Sequence, residues 1–290
     1  MGKTEGKCAI NYGDGRRITI PIGSDVGCGI AYFKAQNVKI DIAELDRVLR
    51  ERIPTGEQYR NEPHRYSKDF DFSDLDCGDY IDRNRAALSL GTLGGGNHFV
   101  EVGKAKGEEG LYFFVHSGSR FLGEAVCEYY IKQLHDISEN EMKGNRQEVT
   151  AAESALLQSF AHDIYEVQGF AMLNREIILL EIEKSLGVKA IEFGECIHNY
   201  ADETGVFRKG TVSTRENDVV IVPLKNHRGI MLGKGKGKTD ICAVAEISGV
   251  DGKCGDESDI LTEKIIEPVY SFGADTTGAK DAANCSRRTV

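Results

Sequence analysis

Residues 91–120 read Gly91-Thr-Leu-Gly-Gly-Gly-Asn-His-Phe-Val-Glu-Val-Gly-Lys-Ala-Lys-Gly-Glu-Glu-Gly-Leu-Tyr-Phe-Phe-Val-His-Ser-Gly-Ser-Arg120. Two apolar runs, Phe99-Val-Glu-Val102 and Leu111-Tyr-Phe-Phe-Val115, bracket a charged turn, a pattern that predicts a β-hairpin. Each run has a histidine at its end: His98 follows three consecutive glycines, and His116 opens the Ser-Gly-Ser turn before Arg120. The next residues, 121–134, have helical spacing, so strand, strand and helix follow one another without the strict alternation of a parallel βαβ sheet.

The same reading extends in both directions. Arg17-Ile-Thr-Ile-Pro-Ile22 alternates like a strand, enters the glycine-rich turn Gly23-Ser-Asp-Val-Gly-Cys-Gly29, and leaves it as a second apolar run, Ile30-Ala-Tyr-Phe33. From Asp41 the period becomes helical, with Ile42, Leu45, Val48 and Leu49 on one stripe, an Asp41-x-x-Glu44 capping box at the start and Pro54 at the end. Residues 55–82 are polar and read as loop. A longer helix follows Thr150-x-x-Glu153, through Leu157, Phe160, Ile164, Val167, Ala171 and Leu179 to Gly187, with Gly169 as its point of interruption. Ala190-Ile-Glu-Phe193 and Val219-Val-Ile-Val222 read as buried strands, and the last twenty residues as frayed. The expected class is α+β, a mixed or antiparallel β-sheet core flanked by helices. The first 237 residues are expected to form the core (1–237), with 238–290 a divergent segment of the same domain.

At 290 residues the chain can bury a large core, and no run of about 18 apolar residues suggests a membrane span. The first residues lack an apolar leader, so the expected compartment is the cytoplasm and the eight cysteines are expected to be thiols. None forms a Cys-x-x-Cys pair, which disfavours a zinc ribbon or a thioredoxin-like site. A net charge of −10 argues against a general polyanion binder but leaves room for a local basic site.

Five segments pair glycine turns with reactive side chains at strand ends. Asp25-Val-Gly-Cys-Gly29 sets a carboxylate and a thiol three residues apart, a pair able to address one or two cations, although a turn aspartate beside a buried cysteine is the ordinary reading. The glycines before Asn97 and His98 resemble an anion nest, against the alternative of a flexible hairpin approach with His98 in the core. His116 and Arg120 end a buried strand, where Arg120 suits phosphate and a lone histidine is more often a bonded core residue. Cys196-Ile-His-Asn-Tyr200 places His198 at another strand end, and Arg208-Lys-Gly210 supplies two cations that a solvated turn would equally explain. For His64, His135, His162 and His227 an ordinary surface or core role is the better reading. Taken together, Asp25, Cys28, His98, His116 and His198 form a donor set suited to Mn²⁺ or Zn²⁺, with arginine, lysine and glycine amides left for phosphate.

These motifs, together with Glu44-Leu-Asp-x-x-x-Arg-x-x-Ile-Pro-Thr-Gly56, Leu93-Gly-Gly-Gly-Asn-His-Phe-Val-Glu101, Phe114-Val-His-Ser-Gly-Ser-Arg120, Ala171-x-x-Asn-Arg175 and Arg208-Lys-Gly-Thr211, resemble the RtcB-type RNA ligases in order and spacing from about residue 18 to about residue 237. The resemblance implies the RtcB fold and a GTP-dependent enzyme that joins an RNA 3′-phosphate or 2′,3′-cyclic phosphate to a 5′-hydroxyl, in RNA repair or tRNA splicing. It also implies two Mn²⁺ ions on Asp25, Cys28, His98, His116 and His198, with the Cys28 thiolate bridging. The guanine nucleotide would contact Asn97, His98, Phe99, Val100, Glu101, His198, Asn199 and Pro223, and Arg120 and Lys209 would neutralise phosphate. By the same resemblance the partners are RNA ends and GTP, with an activating protein left open, no membrane, and a monomeric state. The family's guanylylated histidine lies in a His-Gly-Ala-Gly-Arg motif. At the corresponding place this chain reads Ile241-Cys-Ala-Val-Ala-Glu-Ile-Ser-Gly-Val250, and His227 lies upstream of it. The alternative expectation is therefore a relative that binds metal and nucleotide without ligating and retains cyclic phosphodiesterase activity.

Overall fold

The computed structural model describes residues 8–11, 17–20, 24–36, 38–141, 151–201, 207–210, 212–224, 229–237 and 260–273. Three groups of apolar side chains organise it. The first two lie on opposite faces of one seven-stranded sheet, ordered β6-β3-β5-β4-β11-β10-β9. Its strands are β3 (Gly29–Ala35), β4 (Phe99–Ala105), β5 (Leu111–Ser117), β6 (Ala190–Ile197), β9 (Val219–Pro223), β10 (Ile230–Gly235) and β11 (Ile260–Gly273). The expected hairpin is β4 with β5, in the register Phe99↔His116 to Gly103↔Tyr112. The expectation of a mixed or antiparallel sheet resolves to antiparallel at every ladder. β11, from the segment after residue 237, lies between β4 and β10. Two short ribbons, β1 (Cys8–Asn11) with β2 (Arg17–Ile20) and β7 (Asn199–Ala201) with β8 (Phe207–Lys209), complete the strands among the described residues.

Alternation along each strand decides what lies on each face. Ile30, Tyr32, Tyr112, Phe114, Cys196, Ile221 and Leu232 fill the concave face. The sheet curls over them until Cys196 Sγ of β6 faces the Ile221 carbonyl of β9 at 3.6 Å. Ala31, Phe33, Val100, Val102, Phe113 and Val115 face the other way, against α1 (Ile42–Arg52) and the C-terminal half of α4 (Ala151–Leu186). A third cluster joins α2 (Arg83–Ser89), α3 (Arg120–Glu141), the first half of α4 and the preceding loop. No helix among the described residues is long and apolar enough to cross a membrane.

Several expectations are corrected in detail. α4 runs unbroken past Gly169, because that glycine is exposed while Val167, Phe170 and Ala171 around it are anchored in core. At the start of α1, Asp41 accepts from the Ala43 amide, and Glu44 turns away to Arg47 instead of closing the capping box. The polar 55–82 stretch contains three short 3-10 turns. It is held by Leu75, Cys77 and Ile81 in the helical core and by the Asp163 carboxylate, which accepts from the amides of Asp76 and Cys77 and from Tyr130 Oη. β6 is only half buried: Ile191 and Phe193 are exposed on this edge strand. Of the last twenty residues, expected to fray, 271–273 form the end of β11 and 274–290 lie outside the described residues, as do the 241–250 stretch, His227 and the side chain of His135.

Candidate metal centre

Four neighbouring strands, β6, β3, β5 and β4, each bring one donor to the same end of the sheet. Antiparallel pairing places the end of one strand beside the start of the next. Cys28 immediately precedes β3 and His98 precedes β4, while His116 lies near the end of β5 and His198 follows β6. All four are buried. Asp25 joins them from the turn ahead of Cys28, which is laced to the β6 end by Gly27 N–H to Asn199 O at 2.7 Å and His198 N–H to Cys28 O at 2.8 Å.

The hydrogen bonds determine which ring nitrogens point inward. His98 Nδ1 lies 2.8 Å from the Leu93 carbonyl and His116 Nδ1 lies 2.9 Å from the Asn97 carbonyl. A carbonyl accepts only from N–H, so Nδ1 carries the hydrogen and Nε2 presents its lone pair to the cluster. His116 Nε2 is 3.1 Å from Cys28 Sγ and 3.2 Å from His198 Nε2. His98 Nε2 is 3.5 Å from Cys28 Sγ and 3.3 Å from Asp25 Oδ2. Donor atoms of Cys28, His98 and His116 all lie within 4.8 Å of one another.

Electrostatics favours a cation here. Burial, then the neighbouring imidazoles of His198 and His98, holds His116 well below the usual imidazole range. Burial brings His198 down to about 4. Both rings are therefore neutral near pH 7 and cannot fill the gap between their facing nitrogens with a proton. Burial and the Asp25 carboxylate push the Cys28 thiol far up. A bound cation reverses that, stabilising the thiolate. Burial raises Asp25, but its interactions with the neighbouring His98, Cys28 and His116 side chains outweigh that and hold the carboxyl below the usual carboxylate range. The residues present fit a borderline divalent transition metal.

Arg120 lies beside this centre at the turn into α3. Its φ of +54° is a left-handed conformation costing about 1–2 kcal/mol for a side-chain-bearing residue. Hydrogen bonds from the guanidinium to Thr92 Oγ1 and the Gly56 carbonyl hold it there. Gly94 makes the approach possible: a Cβ at that position would lie 2.0 Å from Arg120 Nη1. Gly118 is equally constrained, since a Cβ there would lie 2.1 Å from Asp25 Oδ1.

The other expected residues divide by face. Phe99 packs at the concave face, and Glu101 on the same strand face receives the Ser271 hydroxyl at 3.2 Å, whereas Val100 packs into the helix-facing core. Only the backbone of Val100 could meet a ligand in the concave face. The Asn199 side-chain amide donates to the Asp25 carbonyl and its oxygen accepts from Gly210 N–H, joining the metal turn to β8. Lys209 is exposed on β8 with its backbone paired to Asn199, and Pro223 ends β9.

Sequence reasoning gave no role to Asn174 and Arg175, the two buried polar residues that support the site. Arg175 donates to the Gly27 and Ser117 carbonyls at 2.6 and 2.7 Å and to the Glu195 carboxylate. Asn174 accepts from the amides of Gly91 and Thr92 and donates to Ser117 Oγ and the Gly118 carbonyl. The signal in the sequence was an Asn-Arg pair inside the apolar tract of α4.

The profile of the family described as tRNA-splicing ligase RtcB matches residues 14–245. The RNA-splicing ligase RtcB of Escherichia coli (strain K12) is 25% identical over 257 residues, covering 72% of this chain and 61% of the relative. The tRNA-splicing ligase RtcB of Nanoarchaeum equitans is 24% identical over 271 residues, covering 83% of this chain and 56% of the relative. The chain thus spans about three fifths of the length of these curated relatives. Because the matched segment contains all five metal-capable side chains and the four strands that carry them, the chain belongs to the RtcB family.

Proposed function

We propose that this protein is a GTP- and Mn²⁺-dependent RNA ligase, joining a 3′-phosphate or 2′,3′-cyclic phosphate end to a 5′-hydroxyl end. The observation that carries the reading is the facing pair of neutral imidazole nitrogens, His116 Nε2 and His198 Nε2, beside the Cys28 thiol. That donor set favours a soft-to-borderline cation over Mg²⁺. Asp25, Cys28, His98, His116 and His198 would hold the two Mn²⁺ ions. Such ions supply Lewis-acid polarisation of phosphate oxygens. The Leu93 and Asn97 carbonyls fix the orientation of His98 and His116. Arg120 neutralises phosphate charge, joined by Lys209 if the substrate extends toward β8.

Glu101 supports guanine as the base. Its Oε1 is buried without a hydrogen-bond partner among the described residues, and burial pushes the carboxyl up to about 7 despite the Ser271 hydroxyl. A carboxylate in this position can accept from two adjacent N–H donors, which guanine presents along one edge and adenine does not. Asn97, Phe99, Asn199 and Pro223 complete the proposed nucleotide site. RNA ends and GTP are thus the proposed partners of a monomeric, cytoplasmic protein whose catalytic core is residues 1–237.

A second reading rests on a separate observation: Ile241–Val250, at the place of the family's histidine motif, contains no histidine. The family's adduct, GMP on a histidine ring nitrogen, needs an imidazole at that place. On this reading the chain binds metal and nucleotide and opens cyclic phosphates without ligating. Incubation with GTP labelled at the α-phosphate in Mn²⁺ separates the two. An acid-labile covalent label supports the ligase, and its absence with intact Mn²⁺ binding supports the second reading. Loss of stoichiometric Mn²⁺ binding by the unaltered protein would overturn both.

A further inference from the structure

A pocket of about 270 Å³ opens beside the candidate metal centre, lined among others by Asp25, Asn97, His98, Tyr59, Arg120 and Phe121. Glu101, His116 and His198 are not part of its wall, so it is a second approach to the centre, separate from the concave face of the sheet. At its rim three flat groups come together. Arg85 of α2 lies over Phe121, 4.2 Å from the ring centroid, and over Tyr59, 5.5 Å from the centroid, and donates to Tyr59 Oη at 3.3 Å. Tyr59 and Phe121 are half-buried and Arg85 is exposed, leaving flat aromatic and guanidinium surface open to solvent.

The charge around this pocket limits what can enter. Glu57 and Glu124 also line it, and the whole chain carries a charge of −10. A long phosphate backbone would be repelled at this mouth, so counterion release cannot supply the affinity. Stacking can, because every base has a π-face and each stacked base contributes independently of sequence. The Arg120 guanidinium in the pocket wall suits a single phosphate.

We propose that Tyr59, Arg85 and Phe121 stack the terminal base of a single-stranded RNA end, whose ribose and phosphate enter the pocket toward Arg120 and the metal centre. This inference rests on the RNA-end reading given above. It predicts a preference for unpaired ends and tolerance of base identity.

The test uses the full chain loaded with Mn²⁺ and an oligoribonucleotide with 2-aminopurine as its 3′-terminal base and a 3′-phosphate. Stacking should quench the terminal fluorescence in step with binding, and an oligonucleotide abasic at that position should bind about tenfold more weakly. Tyr59→Leu and Phe121→Leu should each restore fluorescence and weaken binding about tenfold, with Mn²⁺ stoichiometry unchanged. Arg85→Met, at an exposed site, supplies the same readout if either aromatic variant fails to fold. Metal-dependent binding with an unquenched terminal base, or equal affinity for the abasic end, overturns the stacking proposal and leaves the RNA-end reading standing. No metal-dependent binding of either oligonucleotide overturns that reading, and the stacking proposal with it.

Discussion

Replacing Arg175 by methionine tests the idea that one buried guanidinium holds the metal turn to the strand that carries His116. Methionine keeps most of the apolar stem, so little packing is lost. It removes the donors to Gly27 O, Ser117 O and the Glu195 carboxylate. The Arg175 side chain is 0% exposed and that of Glu195 12% exposed, so water can restore little of what is lost. Removing one member of a buried, hydrogen-bonded ion pair costs about 3–5 kcal/mol, and about 4 kcal/mol is the expected loss here. Urea unfolding of the metal-free protein measures it directly. The double variant Arg175→Met with Glu195→Gln should recover about 1–2 kcal/mol, because it no longer strands a buried carboxylate. Mn²⁺ titration should show weakened binding in both variants. A loss below about 1 kcal/mol, or a double variant no more stable than the single, would refute the pinning role.

Cys28→Ala combined with His116→Ala should abolish stoichiometric Mn²⁺ binding measured by elemental analysis after gel filtration; retained metal would move the site elsewhere. Gly118→Ala places a methyl group 2.1 Å from Asp25 Oδ1 and should weaken Mn²⁺ binding about tenfold in a titration, with secondary structure retained by circular dichroism. Glu101 should make stability fall as pH rises. Its carboxyl is raised from 4.5 to about 7, so between those values the unfolded chain loses a proton that the folded chain keeps, a cost of about 3 kcal/mol fully present above pH 7. Urea unfolding at pH 5 and pH 8 should show that fall in the unaltered metal-free protein and a smaller one in Glu101→Gln; identical pH dependence would show that Glu101 is not the group responsible.

The β4–β5 hairpin and both long helices were legible because alternation and helical period report directly on which side chains are buried. The candidate donors were legible for a different reason: glycine turns concentrate metal-capable side chains at strand ends, as in Asp25-Val-Gly-Cys-Gly29. What escaped is non-local. The position of β11 between β4 and β10 depends on pairings far apart in the chain, which periodicity does not encode. The loop 55–82 looked unstructured because its anchors, Leu75, Cys77 and Ile81, are scattered among polar residues and bonded to a carboxylate on α4. Arg175 went unassigned because its partners come from three other segments. Val100 had been grouped with Glu101, and the alternation of the strand separates them.

The spacing of the metal donors is set by the ladder itself. Gly29 pairs with Ser117 on one side and Ile197 on the other, so Cys28, His116 and His198 keep their relation through backbone pairing and without help from a cation. Such a centre should tolerate many substitutions around it and almost no change in length. Deleting one residue from β3, β5 or β6 would turn a donor from the concave face to the helix side, emptying the site while leaving every ligand residue in the sequence. Inheritance of such a centre would then be recorded as conserved intervals between positions as much as conserved letters. The same rigidity predicts that chelation strips the metal from an already folded protein, so that loading and unloading are events of the mature chain and not of its folding.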